Sequence, residues 1–382
     1  MGKGEASGKI DVNEKEKPMG KIGIGPEGRP AAVIQFVISA IISIGIFVYA
    51  LSPATAVLII LPATLIMLIC LGLLVLVGDS FPYAPPGGNW TPAASRFPVG
   101  VKMTLIWAVF TAVFLLFMAY VYPKWPMSPL YLWWGAIGFW CTLLYGINWN
   151  TWPFKGRMHP WLTMLAALIV VLIVSSLVWN FLTNLAGTPL ADSPMDHKGP
   201  LNVNWLTGYI VWFIGWFFVF SPVFTTQGWP FRKWGHPGAA VGQTILSAIL
   251  GLICWNGSLA MGLSPTFSFA AVGSSLILWS LVYGWHFQFW GITHLTGGSR
   301  AIAAFVVQCV LIAIWIVILK AILGPYAEMV ASLKLPADVN ILIIYVNLCI
   351  AGPILIAHNA FWLRWPLTLP TPPGTPPPDQ SV

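Results

Sequence analysis

Apolar residues run along this chain in long blocks separated by short polar breaks. Ten blocks stand out, at roughly 31–51, 54–77, 99–121, 130–147, 160–186, 204–225, 237–262, 267–290, 300–323 and 339–361. Crossing the hydrocarbon of a bilayer takes about 20 mostly apolar residues in a helix. The alternating pattern of a membrane barrel is absent. In hydrocarbon each backbone polar group must find its partner within the protein, which leaves helices for these blocks. The pattern predicts an all-α, polytopic integral membrane protein with about ten transmembrane helices.

The blocks repeat in pairs. Odd-numbered blocks begin near 31, 99, 160, 237 and 300, which gives five helical hairpins at about 31–77, 99–147, 160–225, 237–290 and 300–361. The second helix of three hairpins opens with Ser-Pro, at Ser52-Pro53, Ser128-Pro129 and Ser264-Pro265. Serine accepts from the orphan N–H groups of a first turn, and proline there gives up no bond. Each second helix closes on an aromatic motif: Phe81-Pro82-Tyr83, Trp152-Pro153-Phe154, Trp229-Pro230-Phe231, Trp290-Gly291 and Trp365-Pro366-Leu367. Proline is expected to stop the helix there, with the ring at the membrane interface. Because every hairpin enters from the same side, the repeats are parallel, and a ring with pseudo-rotational symmetry is one way to pack them.

Basic residues set the orientation. Six Lys and Arg lie in residues 1–30, and eight follow the even-numbered blocks (Arg96, Lys102, Lys155, Arg157, Arg232, Lys233, Arg300 and Arg364). Against these stand four on the other side, Lys124, Lys198, Lys320 and Lys334. The bias places both termini in the cytoplasm and the chain in the plasma membrane. The domain plan is a basic tail at 1–30, a helical domain at 31–365, and a Pro-rich tail at 366–382 expected to be extended.

Composition narrows the function. Only 8% of residues are charged, 58% are hydrophobic, and mean hydropathy is +0.81. Soluble domains carry about 25% charged residues, so a soluble enzyme is excluded. The net charge of +7 is accounted for by topology and by anionic lipid, and no nucleic-acid partner is implied. All five cysteines sit in apolar blocks and read as small apolar residues.

Aligning the hairpins on the closing aromatic exposes a recurring polar position. Two residues before it stand Asp79, Asn150, Gln227, Gln288 and Leu363, and four before it stand Val77, Asn148, Thr225, His286 and Phe361. Polar groups at membrane depth usually face protein or water. The layer reads either as a binding vestibule or as helix capping. Tryptophan is abundant, with 22 residues, and aromatic faces hold quaternary ammonium groups. The candidate site therefore combines Asp79, Asn150, Gln227, Gln288 and His286 with Trp140, Trp149, Trp216 and Trp285. Other polar residues in the blocks, including Gln35, Gln243, Gln308 and Asn347, read as interhelical glue.

The function expected from these features is a transporter or channel for a small organic solute, with a lean toward a methylated amine or betaine-like zwitterion. A general resemblance to multi-pass permeases rests on span count and short loops, and no residue role is carried over from it. No catalytic motif, metal-ligand spacing or cofactor signature is visible. His286 and His358 are the one histidine pair at matching depth for a haem, which is thin support. Two alternatives stay open: a non-transporting subunit of a larger membrane complex, of redox or other type, and a membrane-embedded lipid transferase using Asp79 or His286. Homo-oligomers or partner subunits fit the sequence equally well.

Overall fold

A computed structural model describes residues 29–80, 93–121, 127–194 and 196–362. Both tails, Leu363 and the motifs Phe81-Pro82-Tyr83 and Trp365-Pro366-Leu367 lie outside the described residues. The chain is nearly all helical. In order the helices are α1 (Arg29–Gly45), α2 (Pro53–Val77), α3 (Ala93–Val121), α4 (Met127–Leu143), α5 (Pro160–Leu182), α6 (Val203–Phe220), α7 (Gly238–Ala260), α8 (Phe267–His286), α9 (Gly297–Ser332) and α10 (Val339–Ala360). Eight of them are long and apolar enough to cross a membrane. The other two, α1 and α4, are shorter, and each runs on into a five-residue wide (π) turn, Ile46–Ala50 and Leu144–Asn148.

Two layers are distinguished by burial. The most apolar stretches of α2, α6, α8 and α10 are 61–83% buried, whereas those of α3, α5, α7 and α9 are only 22–33% buried. From Trp133 to Leu143, α4 is buried except at Trp140. The even helices thus form the inner layer. Within it α2 packs on α4, α4 on α6, α6 on α8 and α8 on α10, and α10 returns to α2. Outside, α3 lies on α2, α5 on α4, α7 on α6, α9 on α8 and α10, and α1 on α10. Outward-facing aliphatics such as Leu116 and Val317 suit contact with lipid tails.

Four of the inner helices begin with side-chain caps at one end of the bundle; α4 instead starts at Met127, with Ser128 already in the helix. Ser52 accepts from Thr55 N–H and Ser264 from Phe267 N–H, each at 3.2 Å. Asn202 and Asp338 serve α6 and α10 in the same way. At the other end, here called the basic end, the closing segments meet the starts of the outer helices, as in the bonds from His286 to Ala32 and from Gln35 to His358.

Four boundaries differ from expectation. The sixth helix stops at Phe220, where Ser221 turns extended, and it does not continue to 225. Helix α9 continues to Ser332 through Pro325, so Glu328 is helical and not in a loop. Helix α3 starts at Ala93, with Pro98 inside it. A two-residue parallel pair, Thr183–Asn184 with Leu201–Asn202, closes the loop between α5 and α6, although no strand was expected.

Asp196 organises that loop. Its carboxylate accepts from Lys198 Nζ at 2.8 Å and from the N–H groups of Leu185, Lys198 and Asp192. The Lys198 ammonium, followed by the Leu185 amide, holds the Asp196 carboxyl well below its ordinary value. A lowered folded-state pKa gives stability that is complete above the ordinary carboxylate range and lost as pH falls through the folded value. Thermal stability should therefore decline on acidification below about pH 4, and D196N should flatten that decline in a pH series of melting curves.

Close packing rests on glycine at two backbone contacts, one between the outer α7 and the inner α6 and one within the inner layer. A Cβ on Gly251 would lie 3.0 Å from the Phe213 backbone, and one on Gly284 would lie 2.8 Å from the Phe224 carbonyl carbon. Backbone cannot rotate aside as a side chain can. Gly284→Ala should cost about 1–3 kcal/mol as overpacking, read as a lower melting temperature. Gly257→Ala, with open space around it, is the silent control.

Candidate functional site

The recurring polar position has a backbone explanation. Asp79, Asn150, Gln227 and Gln288 all take left-handed backbone angles, with φ between 44° and 51°. Asn and Asp tolerate this region better than most residues. In three hairpins it follows a wide final turn and the same pair of bonds. Gly78, Trp149 and Phe287 donate to the carbonyls of Leu73, Leu144 and Val282, and Ser80, Thr151 and Phe289 donate to those of Leu74, Tyr145 and Tyr283. The helix therefore ends before the motif proline is reached, and the left-handed residue turns the chain. Tyr145 and Tyr283 lock two of these ends by donating to the carbonyls of Trp152 and Trp290 at 3.0 and 3.1 Å.

Around the basic end the candidate residues make different contacts. Asp79 is exposed and pairs with Lys155 at 2.9 Å. Asn150 is exposed. Gln227 accepts from the Arg300 guanidinium through Oε1. Gln288 is buried, and its neighbour Phe289 lies under the same guanidinium, 5.5 Å from ring centre to Arg300 Cζ. His286 donates from Nε2 to the Ala32 carbonyl of α1 at 2.8 Å. Gln227 and Gln288 are thus brought to one neighbourhood, around Arg300. Asp79 and His286 each engage another hairpin separately.

The four tryptophans occupy contacts between helices. Trp140 packs on Phe213 at 5.5 Å between ring centres. Trp149 donates to Thr244 Oγ1 on α7. Trp216 stacks on Phe220 and Phe305 and points its N–H at Cys254 Sγ. Trp285 is half-buried against the core.

The centre of the inner ring is aliphatic. A small cavity of about 30 Å³ is lined by all five inner helices. Four hairpins supply it from matching positions. Seven residues before the left-handed position, counting Leu363 as its equivalent in the last hairpin, stand Gly72, Leu143, Leu281 and Ile356. Eleven before it stand Leu68, Phe139, Ile277 and Gly352. The third hairpin contributes Phe218 instead, consistent with the early end of α6. These residues look like any other apolar residues in a span. Only the alignment on the polar position singles them out.

Polar groups inside the bundle divide into satisfied and orphaned. Gln308 accepts from Thr225 Oγ1 at 2.8 Å and donates to Ser280 Oγ and the Leu276 carbonyl. Asn347 accepts from Trp315 Nε1 and donates to Ser274 and Ser275. By contrast, both side-chain polar atoms of buried Asn148, and the hydroxyl of buried Thr151 beyond it, have no partner. No group of three His, Cys, Asp or Glu is placed to hold a metal among the described residues.

The helices define an all-α, multi-pass membrane protein. No family model, curated protein or solved structure matches the chain.

Stranding a buried polar partner costs about 1–3 kcal/mol. Gln308→Leu strands the Thr225 and Ser280 hydroxyls, while the Leu276 carbonyl keeps the Ser280 N–H, and should lower the melting temperature. Asn148→Leu strands none and should leave it unchanged or raise it. Melting curves of the two variants in detergent check the contrast.

Proposed function

We propose that this chain is a ten-span channel or permease for a small organic solute, built from five parallel hairpins about a pseudo-fivefold axis, and that the solute moves along that axis. In this reading both termini are cytoplasmic, the basic end faces the cytoplasm, and the membrane is the plasma membrane. The observation that carries the reading is the axial cavity, to which every inner helix contributes and four contribute from equivalent positions. A bundle that served only as an anchor has no need of a common lining on its axis.

The lining favours an uncharged or charge-screened solute with apolar surface. None of the lining residues is ionisable, so a carboxylate proton relay through them is disfavoured, while passive flux or coupling through carbonyls is compatible. Phe139 and Phe218 line the cavity, and aromatic rings can hold methylated ammonium groups. A methylated amine or betaine-like zwitterion therefore remains the preferred solute class. The tryptophans support the wall around the path by packing between helices.

Flux of labelled betaine, choline and methylammonium into proteoliposomes tests the proposal. Wild-type protein should pass at least one of them, and Leu143→Trp and Leu281→Trp, which fill the axis, should abolish most of that flux while the protein stays folded. Unchanged flux in both variants rules out the axial path. No flux of any solute, with a haem Soret band or a second protein in the purified sample, points to the complex-subunit alternative.

A further inference from the structure

Arg300 carries a charge that the described structure does not neutralise. It sits in the first turn of α9 and is only 9% exposed. Its contacts are a neutral amide, Gln227 Oε1, and the face of Phe289. Among the described residues no carboxylate pairs with it: the ion pairs there are Lys155 with Asp79, and Lys198 with Asp192 and Asp196. Two further positive sources face it. The exposed Arg232 sits on the turn that follows Gln227, with its N–H on the Gly228 carbonyl, and the start of a helix is the positive end of the peptide dipole. A buried cation is costly unless it is paired, and here the surroundings add to the cost.

We propose that Arg300 is the centre of an oxyanion site at the basic end, with Arg232 and Gln227 at its edge, that takes a phosphate group. Guanidinium is suited to this because its planar fork matches two oxygens of a phosphate. Among the described residues it gives only one hydrogen bond to protein, to Gln227, so donors remain for the anion. The phosphate can come from an anionic lipid headgroup, since clusters of basic residues at helix ends attract such lipids, or from free phosphate. The site stands apart from the axial path and does not depend on it.

Melting curves of the full chain in neutral detergent test the site, since a ligand that binds the folded state raises the melting temperature. Two probes are titrated separately at matched ionic strength: inorganic phosphate, and phosphatidylglycerol with phosphatidylcholine as the uncharged control. A saturable rise with phosphatidylglycerol alone identifies the headgroup as the source, and a rise with inorganic phosphate identifies the free anion. In either case R232Q should weaken the apparent affinity severalfold and R300Q should abolish the shift, while R157Q, an exposed basic control, should retain it. If R300Q does not fold, exposed R232Q decides the matter. No shift with either probe, or a shift unchanged in R232Q, overturns the proposal.

Discussion

Hydrocarbon offers no hydrogen bonds, so every inner helix has to complete its own backbone before the chain turns. That constraint organises the basic end. The last turn widens, a residue enters the left-handed region, and paired amide bonds reach back five and six residues in three of the hairpins. Two tyrosines then tie the closing motif to the helix it follows. The tight seats of Gly146 against Leu76 and of Gly284 against Phe224 place one closing turn directly on another. The inner layer is thus held in register by its ends as well as by its apolar faces.

Polar side chains in the interior do a second kind of work. Gln308 and Asn347 each join three groups, and the bonds link α8 to α9, α8 to α10 and α9 to α10. In lipid these bonds are individually modest. Their value is geometric, because an amide with three partners fixes both the rotation and the depth of a helix. Aliphatic contacts alone would leave both free to slide.

The all-helical membrane class was legible in the sequence, because long uncharged apolar blocks have one solution in a bilayer. The Ser-Pro starts were legible too: Ser52 and Ser264 cap as expected. Helix ends were less so. The arrest of α6 at Phe220 and the run of α9 past Pro325 depend on tertiary contacts that hydropathy does not record. The polar position at Asp79, Asn150, Gln227 and Gln288 was found by alignment, but its left-handed backbone was invisible, since a side chain that accepts a strained φ and one that binds a ligand look alike in sequence. Arg300 was counted as a topological charge. Nothing local distinguished it from Arg232, and the difference is burial, which the fold alone determines.

The pairing of layers also bears on how the chain is made. Each outer helix from α3 to α9 rests on an inner helix already synthesised. Helix α1 is the exception, because its seat is α10, where His358 meets Gln35. Of the ten helices described, the earliest in sequence is therefore the last to find its seat. Its docking onto α10 completes the outer layer. Premature termination anywhere before α10 would leave the apolar inner face of α2 open along the side where the ring should close. Quality control in the membrane can read that single gap as the mark of an unfinished protein.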